Sequence, residues 1–208
     1  MGDGGDHPPG APARIAEALR LHDRYLREVV LAYDLCPWAE KVLREGRFRR
    51  TVIDGAAPGP TALLPFIDAL EAEPAPVDVA FAIFPALTVP AAGFDKFTEQ
   101  LRRADRARRS SAAVTPFLLA AFHPFGPDEF QDPNQMTAFL RRSPDATVQL
   151  VRADVLDRVR GAGVDVSDGV ARQNFATVTA RGVTGLGAVL ADLRRDRDES
   201  YRRLARAR

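Results

Sequence analysis

From Arg14 onward, apolar residues recur at helical spacing: Ile15, Leu19, Leu26, Val30 and Tyr33 share one face. The helix they predict stops near Asp34 or Leu35, because Cys36 precedes a proline and is pushed out of the α region. Pro37 suits the first position of a second short helix, Pro37 to Arg44. Phe48 to Ile53 reads as a strand, Asp54 to Pro60 as a Gly/Pro loop, and Thr61 to Glu71 as a short helix with Pro65 in its opening turn. Val77 to Phe84 is a mostly apolar run between prolines, as a buried strand requires. Phe94, Phe97, Leu101 and Ala104 mark an amphipathic helix, and Val114 to Phe122 a third strand. Gly126 to Asp145 is polar and proline-rich and reads as a long loop, which in a compact domain is usually functional or disordered. Ala146 to Arg152 is a fourth strand, running into a helix through Arg160. Ser167 to Arg208 is mostly helical, with a break around Gly182 to Gly187.

Helices interleaved with four strands predict an α+β fold, a four-stranded mixed sheet with helices packed on it, for which a ferredoxin-like sandwich is one arrangement. A length of 208 residues fits one good-sized domain. Residues 1–13 read as a disordered Gly/Pro-rich arm, 14–193 as the domain and 194–208 as a charged helical tail. Twenty-nine basic residues against 28 acidic ones leave a net charge of +1, without the basic footprint of a dedicated nucleic-acid binder. No apolar run reaches the roughly 18 residues that span a bilayer, and the start lacks the apolar core of a signal peptide. These features predict a cytoplasmic protein with no membrane partner. A single cysteine excludes an internal disulfide and any all-cysteine metal cage.

Cys36 is the first chemical candidate. At the N-cap of the Pro37 helix it would feel the helix dipole, and a thiolate is both a nucleophile and a soft metal ligand. Trp38 beside it would supply an aromatic wall. Packed into the core instead, the same thiol is an inert small hydrophobe. His123 ends a strand and opens the long polar loop, where sheet proteins place active groups; a hydrogen-bonded structural histidine fits the same position. Arg141, Arg142 and Ser143, with Arg152 at the end of the next strand, would clamp carboxylate or phosphate through forked guanidinium contacts. Asn174 would line the site or bridge helices. Asp128 or Glu129 would complete a non-haem metal site with Cys36 and His123. The P-loop, the dinucleotide-binding glycine fingerprint, the serine-hydrolase elbow and paired-histidine zinc signatures are all missing from the sequence.

Several of these pieces together resemble a bacterial family known as domain of unknown function number fourteen-fifteen. The resemblance rests on Leu35-Cys36-Pro37-Trp38-Ala39 after a first helix, Phe122-His123-Pro124 at a strand end and Arg142-Ser143-Pro144 about twenty residues on. Leu150-Val151-Arg152 closes the fourth strand, and Arg172 and Asn174 stand for a late Arg-Asn pair with Gln173 between them. The match runs from about Arg14 to Ala191. The chain departs from the family pattern at Asp34 and Arg141, where asparagine is usual, at Asp145-Ala146 in place of Tyr-Pro, and at Gln149 in place of histidine. The resemblance brings no established reaction.

Three function readings follow. The first is a haem protein with redox chemistry, in which Cys36 ligates the iron, His123 is the opposite ligand or a distal acid/base, and Arg142 and Arg152 hold the propionates. The second is a cofactor-free enzyme with a Cys36 nucleophile and a His123 base acting on an acidic substrate. The third is a non-catalytic ligand-binding domain. The favoured expectation is a small-molecule site between Cys36, His123 and the Arg142/Arg152 pair, whereas on the third reading these motifs only cap helices and stiffen loops. The expected partner is a carboxylate-bearing small molecule, with a homodimer compatible with each reading.

Overall fold

In the computed structural model, residues 11–36, 38–109, 115–155 and 166–207 are described. Four strands form one open sheet: β1 (Phe48–Val52), β2 (Val79–Phe84), β3 (Phe117–Phe122) and β4 (Ala146–Arg152). Their order is β1-β2-β4-β3. β1 runs parallel to β2, and β4 lies antiparallel to both β2 and β3. The helices are α1 (Ala11–Tyr25), α2 (Ala39–Arg44), α3 (Leu64–Ala72), α4 (Ala91–Ala107), α5 (Pro133–Leu140), α6 (Val166–Arg181) and α7 (Val183–Arg206). The fold is therefore α+β with a four-stranded mixed sheet. β1 and β2 are direct neighbours, so the sheet does not adopt the ferredoxin-like variant, in which the βαβ unit is split by an intervening strand. Among the described residues no helix is long and apolar enough to cross a membrane.

β2 is buried along its whole length, which its Val-Ala-Phe-Ala-Ile-Phe sequence allows because successive side chains point to opposite faces. On one face Ala80, Ala82 and Phe84 join Leu119, Val148 and Leu150 beneath Ile67 of α3 and Phe94 and Leu101 of α4. On the other, Val79 and Phe81 are covered by Leu26 and by Val42 of α2. Outside that layer a second helical core joins Tyr25 and Val29 to Met136 and Phe139 of α5, Val178 of α6 and Leu186 of α7.

The first helix lasts almost as long as its periodicity predicts, but its last part, Leu26–Leu31, is a π-helical turn. The amides of Ala32 and Leu35 reach five residues back, to the carbonyls of Arg27 and Val30, at 3.2 and 2.9 Å. Asp34 then turns the chain at φ +52°, a conformation that Asp and Asn tolerate better than most residues. Pro37 lies outside the described residues, as do Val114 and residues 156–165, which carry the helix expected through Arg160.

The stretch from Gly126 to Asp145 is not one loop, since it contains α5. The cause is local: Pro133 sits at the helix start, and the Asp132 carboxylate accepts hydrogen bonds from the amides of Asn134 (2.8 Å) and Gln135 (3.0 Å). The break predicted around Gly182 to Gly187 falls on Gly182, whose φ of +95° favours glycine, while Gly185 and Gly187 continue α7. α7 runs unbroken past residue 194, and Asp145, buried at the head of β4, accepts hydrogen bonds from Arg197 Nε (2.8 Å) and the Tyr201 hydroxyl (2.7 Å). The charged end of the chain thus packs as part of the domain through Arg206.

Candidate functional site

Between the sheet and the helices over its α1/α2 face lies a pocket of about 480 Å³, within the range of small-molecule sites. Its floor comes from alternate residues of the sheet: Phe81 of β2, Gln149 and Val151 of β4, Leu118 and Phe122 of β3. Register accounts for the grouping, since Phe81 pairs with Gln149 and Gln149 with Ala120. The π-helical turn contributes Leu26 and Val30, the following segment Cys36 and Trp38, α2 Val42 and Leu43, α5 and its C-cap Asn134, Thr137 and Arg141, and α6 Asn174. The wall is mostly apolar, with a few polar groups in it. Among the described residues no histidine, aspartate or glutamate lines it.

Arg141 is the one charged residue among the described residues that line the pocket. Its side chain makes no hydrogen bond or salt bridge with a described residue, and the guanidinium lies 5.9 Å from the Phe122 ring centroid. Burial depresses its pKa, and Arg102 on α4 adds to this, while Tyr25 and Asp95 act the other way. A cation so placed favours an incoming anion. Cys36 is half-buried with a free thiol. Burial pushes that thiol up, against the opposing pull of hydrogen bonds from the Trp38 and Ala39 amides, so Cys36 stands as a neutral thiol. Asn174 donates from Nδ2 to the Leu35 carbonyl at 3.0 Å, and Arg181 Nη1 donates to the Ala32 carbonyl at 2.5 Å, so α6 pins the turn that presents Cys36.

His123 is elsewhere. It follows Phe122, whose ring faces the pocket floor beside Phe81 at 6.2 Å, so the His123 ring points to the opposite face of the sheet. There it lies 6.0 Å from Phe94 of the α3/α4 core. Its Nε2 is 2.9 Å from the Val89 carbonyl, and its Nδ1 accepts from the Phe125 amide at 3.2 Å. That pattern fits the neutral Nε2–H tautomer, and burial, the larger influence, lowers the pKa. Cys36 and His123 therefore form neither a nucleophile–base pair nor a ligand pair on one iron or other metal ion. Among the described residues no group of three or more His, Cys, Asp or Glu is placed to hold a metal ion, so the set with Asp128 and Glu129 is not assembled.

The arginine clamp is also dispersed. Arg142 precedes β4 and Arg152 ends it, so about a strand length separates them. Arg142 donates to the Gly126 carbonyl (2.5 Å), pairs with Asp128 (2.5 Å) and lies over Phe139. Arg152 donates to the Val77 carbonyl (2.7 Å) and lies over Phe117. The Ser143 hydroxyl donates to the Asp145 carbonyl at 2.5 Å. Arg142 and Ser143 line a separate cleft of about 380 Å³ beside the start of α7. Of the sequence candidates, Cys36, Trp38, Arg141 and Asn174 share the main pocket. His123, Arg142, Ser143 and Arg152 do not line it.

A family profile described as "Protein of unknown function (DUF1415)" matches residues 17–188. The chain belongs to this family. The DUF1415 match takes in every element that lines the pocket, from the first helix to α6. No curated protein and no solved structure matches the chain.

Gln149 and Thr137 are pocket residues that sequence reasoning did not nominate. Gln149 carries a usable signal. It is the polar position within the apolar run Val148-Gln149-Leu150-Val151, and alternation sets it on the face opposite Val148 and Leu150, which belong to the core. Thr137 belongs to the stretch read as loop and acquires a face only once α5 exists.

Proposed function

We propose that this DUF1415 protein binds a small organic carboxylate with an apolar body in the pocket between the sheet and α2, α5 and α6. One observation carries the reading: the Arg141 guanidinium, without an acidic partner among the described residues, stands in the wall of a mostly apolar cavity. Part of the Arg141 side chain stays open to solvent, and a carboxylate bound in the cavity would meet it through charge-assisted hydrogen bonds. Arg141 and Gln149 both line this pocket. Cys36 is the nucleophile within reach of such a ligand. With no carboxylate or imidazole among the described lining residues to take its proton, the geometry supports binding more strongly than thiol catalysis. Haem held by Cys36 alone, a propionate against Arg141, is the bulkiest ligand of this class. A Soret band on adding hemin that disappears in Cys36→Ala is its signature.

Trp38, the chain's only tryptophan, lines the pocket, so its emission reports occupancy. Titrated with γ-phenylbutanoate, the protein should show saturable quenching, with phenylbutanol at least about tenfold weaker, as a lost charge-assisted contact implies. Arg141→Gln should bring the acid down to the level of the alcohol. Equal affinities for acid and alcohol in the unaltered protein would refute the carboxylate reading.

A further inference from the structure

Gln149 lies on β4, which has a partner on each side: it pairs with Phe81 of β2 and with Ala120 of β3. Its side chain is half-buried, on a floor otherwise made of Phe81, Leu118, Phe122 and Val151. It makes no hydrogen bond with a described residue. A glutamine amide carries two donors and one acceptor. The Gln149 amide is not sealed off but opens onto the cavity, on a floor that a leucine or methionine of similar size would match better. Packing therefore does not explain it, whereas a ligand in the cavity above would.

The order of groups along the floor is fixed by register. Arg141 lies over Phe122, which pairs with Thr147. Gln149 is the next position of β4 on the pocket face, one two-residue step or about 7 Å further on. Beyond it the level of Val151 is paired with Val79, itself beside Phe48, and the surroundings there are apolar. Along the strand the pocket thus presents a cation, then an uncharged amide, then a hydrocarbon wall.

We propose that Gln149 is a specificity-determining residue and that the ligand of this pocket carries a neutral amide, oxo or hydroxyl group between its carboxylate and its apolar end. The proposal rests on the carboxylate reading above and adds a second polar group to it. Acyl amino acids and oxo or hydroxy acids with an aromatic or branched end form the class.

Benzoylglycine and γ-phenylbutanoate make a matched pair: each has three chain atoms between ring and carboxylate, and only the first bears an amide. Followed by Trp38 emission or calorimetry, benzoylglycine should bind about tenfold more tightly, the size of one or two added hydrogen bonds in a partly open site. Gln149→Met should bind both acids equally, at about the affinity of γ-phenylbutanoate for the unaltered protein. Gln149→Leu is the second variant should the first melt early. Equal affinities in the unaltered protein, or a preference that survives in both variants, overturns the role of Gln149 and leaves carboxylate binding standing. Failure of both acids to bind overturns the two proposals together.

Discussion

His22 is 2% exposed, and neither ring nitrogen has a hydrogen-bond partner. Its ring packs edge-on against Phe81 at 4.8 Å, behind the pocket floor. Burial, with Arg50 nearby acting in the same direction, pushes its pKa down to about 3. In the unfolded chain the value returns to about 6.5. Between those limits the unfolded state holds one more proton than the folded state, so stability falls as pH falls, by about 1.4 kcal/mol per pH unit for this group. His123, also lowered by burial, adds a contribution of the same sign. Urea midpoints measured from about pH 7 to about pH 4 should therefore drop steadily, and His22→Phe should make that drop shallower. A midpoint that is flat in this range, or a slope unchanged in the variant, would show that His22 is solvated in the native state.

At the scale of elements, α5 determines whether the pocket has a polar end, because Asn134 and Thr137 lie on it and Arg141 caps it. The helix is eight residues long, too short to be stable on propensity alone, and its N-terminal amides depend on Asp132. Asp132→Ala should cost about 1 kcal/mol by urea denaturation. It should also weaken carboxylate binding measured through Trp38, although Asp132 does not line the pocket. The strands were readable from the sequence because each is a run of the right length and hydrophobicity, and β4 has the predicted boundaries. α5 was not, because its apolar residues Met136, Phe139 and Leu140 are surrounded by polar and proline signals that also describe a loop. The site was half readable. Cys36 and Trp38 drew attention through their chemistry and do line the cavity. Pairing Cys36 with His123 failed because faces of a sheet are assigned by strand register, a long-range property. Once Phe122 faces the cavity, its neighbour His123 cannot.

The whole molecule is held closed by its last helix. Asp145 is 2% exposed, and burial raises its pKa against the opposing pull of Arg197 and Tyr201, the two groups that support its carboxylate. Removing one partner of a buried charge is much worse than removing a surface charge. Arg197→Ala should cost about 3–5 kcal/mol, against less than about 0.5 kcal/mol for the exposed Arg195→Ala two residues earlier. Thermal and urea unfolding of the two variants side by side provide the check, and similar losses would mean that Asp145 is neutral in the folded state. A chain ending at Leu193 loses both partners of Asp145 and should be at least as destabilised as Arg197→Ala.

α7 also meets the first helix in an antiparallel pair. Glu17 lies beside Ser200, Arg20 pairs with Asp196 at 2.8 Å, and Arg24 pairs with Asp192 at 3.0 Å. Positions that rise along α1 match positions that fall along α7, so Ala11 and Arg206 lie at the same end of the pair. The backbone from Ala11 to Arg206 is in this sense almost a ring, open at one place. A short flexible linker across that gap, with a new opening between the exposed Ala56 and Ala57, gives a circular permutant in which every strand pairing and the whole cavity wall are kept.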